Sequence, residues 1–373
     1  MIKPLKRYSP PNGNYLTTRD WIKKNHLGHT HYYQPFRKKE LLVRLTKPKG
    51  LDRQVHWKFE SMYQLKPPPT FVALIPNGRV YGENGSIITT DNKLIWDLSF
   101  EYEKEPNEHS IFEENSLSPY QKINGTIAVA TFCASQYYYH WMFDVLPKLY
   151  LLKRRKIKID KIVINGNYQH PFIEQTLAAL NIPRSKLMNT SSTFHLKAEK
   201  LIVPSSSGYT GYMPKWTVHF LRKSLLNKNI VKIPDYERIY ISREDGRGRK
   251  VINEEQVTNL LVPYGFKTLV LDQLSLDEQI QIFYSAKIII APHGGGLTNL
   301  VFANPGTRIL EIFSPKYVNP LYWILSNYVK LDYYYLLGDD EKLDDHIDPG
   351  AVVADISINI EKLSKMMKLM NIN

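Results

Sequence analysis

Apolar and polar positions follow two rhythms along this chain. From Thr70 to about Tyr102, short alternating segments are cut by turn signals at Pro76-Asn77-Gly78, Asn84-Gly85 and Asp91-Asn92, the pattern of a small β-meander. From Thr126 onward, short apolar runs alternate with amphipathic stretches. Strands are expected over residues 126–131, 161–164 and 200–203, and helices over 137–152, 171–180 and 214–226, the last with Pro214 in its first turn. A connector at 227–235 precedes a restart: strands at 238–242, 267–271, 287–291 and 308–313. The helices between them are introduced by Asn253, by the capping pair Ser275 and Glu278, and by the glycine turn 294–296.

Strands alternating with helices imply a mostly parallel sheet covered on both faces, so the fold class is α/β with two doubly wound units. The expected division is an irregular N-terminal extension (1–70), a first domain of meander plus Rossmann-like unit (71–234), a second Rossmann-like domain (235–350) and a C-terminal segment (351–373). The extension holds His26, His29 and His31, read as a loop, and Pro67-Pro68-Pro69, read as an extended linker. In the last segment Ile360, Leu363, Met366, Met367 and Met370 recur at helical spacing, and are expected to pack back on the first domain.

Composition narrows the function. Net charge is +13, which favours anionic partners, but the charge is scattered, so a nucleic-acid-binding protein is the weaker alternative. The densest basic patch is Lys148, Lys153, Arg154, Arg155, Lys156 and Lys158, read as a solvated helix end and open to peripheral membrane association. A single cysteine, Cys133, excludes an intrachain disulfide, and the polar stretch 1–21 lacks the apolar core of a signal peptide; a cytoplasmic protein is expected. No metal-ligand spacing is present, and the Asp339-Asp340 and Asp344-Asp345 pairs read as a solvated acidic loop.

Three groups carry candidate chemistry. The apolar strand at 287–291 stops at Pro292, and His293-Gly294-Gly295-Gly296-Leu297-Thr298-Asn299 opens onto a helix expected to begin near Leu297. Unpaired amides at such a turn suit a diphosphate, and a bare structural turn fits the same residues. A flexible basic loop, Ser242 to Lys250, follows another strand. Its Arg243, then Arg249, offer paired donors to phosphate oxygens. In the run from Tyr137 to Pro147, His140 and Asp144 lie four residues apart on one helix face among apolar neighbours, placed either to take a proton from a hydroxyl or to form a structural pair. Glu311, in the strand after the glycine helix, is a candidate for a ribose hydroxyl pair.

Taken together, three blocks in order resemble glycosyltransferase family 61. They are Tyr138-Tyr139-His140-Trp141-Met142-Phe143-Asp144-Val145-Leu146-Pro147; Ile241-Ser242-Arg243 with Arg249 and Asn253-Glu254; and Pro292 to Asn299 with Phe302, Pro305-Gly306-Thr307 and Glu311. The resemblance spans about residues 70–338 and departs at Gly295, where alanine is the more frequent residue. It implies a GT-B architecture, two Rossmann-like domains facing across a cleft. It also implies an inverting transfer from a nucleotide sugar, usually a uridine diphosphate (UDP) sugar. No Asp-x-Asp pair falls in a candidate site, so a metal is not demanded and no cofactor is expected. The family's acceptors are protein-linked glycans, plant xylans and bacterial surface polysaccharides. Carried over by residue, Ser242, Arg243, Arg249, His293 to Asn299 and Glu311 would hold the donor. Asp144 is preferred as base with His140 as a sugar contact, the roles open to reversal, and Tyr139 and Trp141 would touch the acceptor. The alternative is a nucleotide-sugar-binding protein without catalysis.

Overall fold

The computed structural model describes residues 8–36, 42–166, 170–209, 211–339 and 353–373, with only the backbone of His29 and Thr30. The chain divides into two compact units, Met1–Glu40 with Pro67–Thr210, and Leu41–Lys66 with Gly211–Asn373. This differs from the expected division. Much of the first 70 residues is built into folded structure, and residues 211–234 belong to the second unit.

In the first unit the described residues form a sheet of ten strands. Strand His195–Pro204 lies at its middle. On one side it pairs antiparallel with Phe71–Pro76 and Arg79–Tyr81; on the other it runs parallel to Gln121–Val129, followed by Lys161–Ile164 and Leu187–Asn189. The meander is therefore the antiparallel half of one mixed sheet rather than a separate layer. Asn14–Tyr15 adds an edge strand beside Leu94–Ile95, and Tyr33–Pro35 pairs with Phe71–Pro76. Between these two N-terminal strands, helix Thr18–Lys24 starts with a capping box, in which the Thr17 hydroxyl accepts from the Asp20 amide at 3.1 Å and the Asp20 carboxylate accepts from the Thr17 amide at 3.0 Å. It drives Trp21 and Ile22 into the sheet's core, which explains why this stretch is ordered.

The second unit has a five-stranded, all-parallel sheet, in the order Lys267–Val270, Arg238–Ser242, Ile288–Pro292, Arg308–Phe313, Asp332–Leu337. In chain order this is 2-1-3-4-5. Its switch point, where successive connections leave in opposite directions, falls between Arg238–Ser242 and Ile288–Pro292; ligands of doubly wound sheets sit outside the strand ends there. Side chains alternate between the two faces. Ile288, Ile290, Leu310, Ile312, Tyr334 and Leu336 share a core with Val257 and Leu261 and with Leu363, Met366 and Met367 of helix Ile360–Leu369. That last helix thus packs on the second unit's sheet, not on the first domain as expected. On the opposite face, Phe59 from the 41–66 segment is fully buried against Phe313, Trp323, Tyr333 and Tyr335. No described helix is long and apolar enough to cross a membrane.

Candidate functional site

At the switch point the ends of two neighbouring strands bring Arg243 against the glycine turn. The approach is so close that a methyl group on Gly294 would stand 2.0 Å from Arg243 Nη1 and 2.7 Å from Cζ. The φ of Gly294 is 178°, open to any residue, so glycine is required here for space and not for backbone freedom. At Gly295 an added methyl meets nothing within 4 Å, so the alanine that the resemblance leads one to expect there would fit. Gly294→Ala is expected to push the guanidinium aside and weaken nucleoside diphosphate binding about tenfold or more. Gly295→Ala should instead leave the guanidinium in place and stabilise the fold by about 0.4–1 kcal/mol. Nucleotide titration and denaturant unfolding of the two variants measure this contrast; wild-type affinity in Gly294→Ala would show that the contact is not used.

The guanidinium of Arg243 donates to the Gly248 carbonyl from Nε at 3.3 Å and Nη2 at 3.1 Å, and makes no ion pair among the described residues. Burial, then the neighbouring Arg249, push its pKa down, opposed by Asp245 and Asp272. A half-buried cation whose strongest charged neighbour is a second cation is electrostatically incomplete, and an anion resolves it. Arg249 adopts a left-handed φ of 57° and sets its guanidinium 5.6 Å from the Tyr317 ring centroid. The basic loop, expected to be flexible, is tied down at its far end. The Arg249 amide donates to Val353, the Lys250 amide to Asp355, and the Ile356 amide back to Lys250, so a C-terminal strap holds it.

The glycine turn leads into a 3₁₀ helix, Gly295–Phe302, that starts two residues earlier than expected. The Leu297 amide already donates to Gly294 and the His293 amide to Ile312, so neither can cradle a phosphate. The amides of Gly295 and Gly296 precede the first helical bond and lie on the more open part of the turn. His293 donates from Nδ1 to Glu311 at 2.5 Å, and Tyr333 donates to the other Glu311 oxygen at 2.5 Å. Burial pushes the His293 pKa down despite Glu311, aided by Arg249 and Arg243, so the ring is neutral with Nε2 as its acceptor nitrogen.

Several expected donor contacts are thereby corrected. Glu311 is fully buried with both oxygens engaged, so it orients His293 and has no face for a ribose. Ser242 is buried, donating to Glu254 at 3.0 Å and accepting from the Glu244 amide, and so holds the loop. Leu297, Thr298 and Asn299 are core residues; Asn299 donates to Gln279 at 2.7 Å and Thr298 lies 3.3 Å from the Tyr322 hydroxyl. Asp340, Asp344 and Asp345 lie outside the described residues, while Asp339 accepts from Asn359 and Lys362. No group of three or more His, Cys, Asp or Glu suited to a metal occurs among the described residues.

The first unit carries the other cluster. Its helix runs Tyr138–His140, a π turn at Trp141–Val145, then Leu146–Arg155. Proline causes the irregularity: Pro147 has no N–H for the Phe143 carbonyl, and the Ser207 hydroxyl donates to it instead at 2.7 Å. His140 Nδ1 lies 2.8 Å from Asp144 Oδ2. The Asp144 side chain is 6% exposed and that of His140 17%, so Asp144 sits behind and His140 in front. Lys148, expected in a solvated basic patch, is buried four residues further on, donates to the Thr131 carbonyl at 2.6 Å, and has its pKa pushed down by burial to about 8 against the pull of Asp144. The 140/144/148 spacing could have revealed it. Trp141 is buried with its indole N–H on the Thr176 hydroxyl at 2.8 Å and lines a cavity with Ile164, Asn165 and His170, while Tyr139 is buried against Phe143.

Residues 138–310 match the family model of Glycosyltransferase 61. The chain is 30% identical over 155 residues to a β-1,2-xylosyltransferase of Arabidopsis thaliana, covering 36% of this chain and 27% of that protein. It is 38% identical over 61 residues to the β-1,2-xylosyltransferase RCN11 of Oryza sativa subsp. japonica, covering 16% of this chain and 11% of that protein. The aligned part therefore spans under a third of either relative.

Proposed function

We infer the activity from the premise that residues 138–310 belong to glycosyltransferase family 61. The proposed reaction is an inverting transfer of a sugar from a nucleotide sugar, in the first instance a UDP-sugar, to a hydroxyl of a glycan or glycoconjugate. The observation that carries it is Arg243 lodged against Gly294 at the switch point of a parallel sheet, with Arg249 beside it. The donor's diphosphate would lie on the two guanidiniums and the Gly295 and Gly296 amides. As the bond from the anomeric carbon to the diphosphate oxygen breaks, negative charge collects on that oxygen, and the fixed cations are already oriented for it. His293, neutral and braced by Glu311, would accept a hydrogen bond from a donor hydroxyl. In the first unit, His140 would take the proton of the attacking acceptor hydroxyl, with Asp144 holding the imidazole and stabilising its protonated form. The two units would then be the lobes of a GT-B enzyme.

The relatives are named as xylosyltransferases, so UDP-xylose heads a panel of nucleotide sugars. The cognate donor should stabilise the protein by about 2.7 kcal/mol at a hundredfold excess over its Kd, read as a rise in melting temperature. UDP should be released when an oligosaccharide acceptor is added. A panel with no stabilising nucleotide would overturn the proposal. Binding without any release would leave a non-catalytic nucleotide-sugar receptor.

A further inference from the structure

Around His140 the first unit exposes an unusual set of rings. Phe100, Tyr102 and Tyr137 are 38%, 37% and 60% exposed. Tyr102 has its ring centroid 6.0 Å from that of His140, Tyr137 is 6.4 Å from it, and Phe100 is 5.3 Å from Tyr102. Beneath them Phe132 stacks on His140 at 5.3 Å, with an interplanar angle of 29°. Local chemistry explains why these rings face outward. Glu101, between Phe100 and Tyr102, is buried and accepts from the Ser110 amide at 2.9 Å and the Ser110 hydroxyl at 2.6 Å. With that carboxylate anchored inward, its two aromatic neighbours remain accessible. Exposing aromatic carbon forfeits burial energy, and three of the five exposed large aromatic side chains among the described residues, all but Trp57 and Tyr209, gather beside the candidate base.

We propose that Phe100, Tyr102 and Tyr137 form a shelf that seats a pyranose ring of the acceptor glycan and delivers its hydroxyl to His140. The C–H groups on one face of a pyranose are weakly positive and match the negative face of an aromatic ring. Its hydroxyls remain at the rim, within reach of water and of imidazole. A glycan thus fits this amphipathic surface better than an apolar chain, which would offer nothing to the second ring nitrogen of His140. The assignment rests on the glycosyltransferase reading for the role of His140, and its test separates the two.

The full chain is mixed with xylo-, manno-, cello- and N-acetylchito-oligosaccharides, and saturation transfer to the sugar protons is recorded without donor. The wild type should transfer saturation to at least one of them. Tyr102→Ala and Tyr137→Ala should each weaken that binding roughly 2- to 10-fold, and the double variant by more, while UDP affinity and melting temperature stay at wild-type values. Tyr102→Trp should restore binding, which a merely structural role would not predict. In the transfer assay, acceptor KM should rise in the same order with donor KM unchanged. Sugar transfer with wild-type acceptor KM in the double variant would overturn the shelf while leaving the enzyme reading intact. Failure of every oligosaccharide to bind the wild type would overturn the shelf as well. Binding that depends on the rings in a protein that never transfers sugar would support the shelf and refute the enzyme.

Discussion

Arg243→Ala is expected to lower kcat/KM for nucleotide-sugar turnover by about 100- to 1,000-fold, the effect of removing one preorganised donor to a developing oxyanion. The fold should survive. The side chain's hydrogen bonds among the described residues all go to one carbonyl, that of Gly248, and its burial beside Arg249 is electrostatically unfavourable without an anion. Losing it therefore relieves repulsion while giving up those bonds, and the melting temperature should move by no more than about 2–4 °C, the equivalent of ~1 kcal/mol. Arg243→Lys should fail nearly as badly, because an ammonium on a flexible stem cannot bond the loop carbonyl and a phosphate with one planar group. Steady-state kinetics and a thermal melt on the same preparations check both halves. Wild-type turnover in Arg243→Ala would remove the clamp from the mechanism.

The meeting of Arg243 with the glycine turn was legible in the sequence because it depends on local order. A strand ending in Ser242-Arg243 and another ending in Pro292-His293-Gly294 can be read one at a time, and in a doubly wound sheet both ends fall on one rim. Which strands are neighbours was not legible. Their adjacency follows from the 2-1-3-4-5 order, completed by Asp332–Leu337, whose tyrosine run carries no alternation to mark it. Burial was the other blind spot. Glu311, Thr298 and Asn299 are polar types that look available to a ligand, and only the packed sheet shows each one spent on an internal partner. Lys148 was misread for the same reason: it was grouped with the largely exposed basic residues from Lys153 on, while its own neighbours Pro147 and Leu149 are buried and Asp144 lies one helical turn back. The N-terminal region escaped because its strands are two or three residues long, too short for periodicity, although Thr17 and Asp20 mark the start of its helix.

Asp144→Asn and His140→Ala should each abolish transfer, with losses in kcat of about 100- to 10,000-fold, while nucleotide affinity is retained because the donor groups belong to the other unit. The proposed roles follow the order of burial. Asp144 is the more enclosed partner and spends Oδ2 on the imidazole, whereas His140 is the more exposed, and in the proposed reaction its second ring nitrogen would meet the acceptor hydroxyl. This reverses the preference drawn from the sequence, in which Asp144 was the base. If the pair works as one unit, Asp144 acts only through His140, and the double variant should be no worse than His140→Ala alone. Independent contributions would instead multiply, giving a double variant slower than either single by the full factor of the other. A kinetic cycle over the four proteins, with donor Kd measured alongside, distinguishes these outcomes. Multiplying losses would return the base to Asp144, and wild-type transfer by either single variant would place it on another residue.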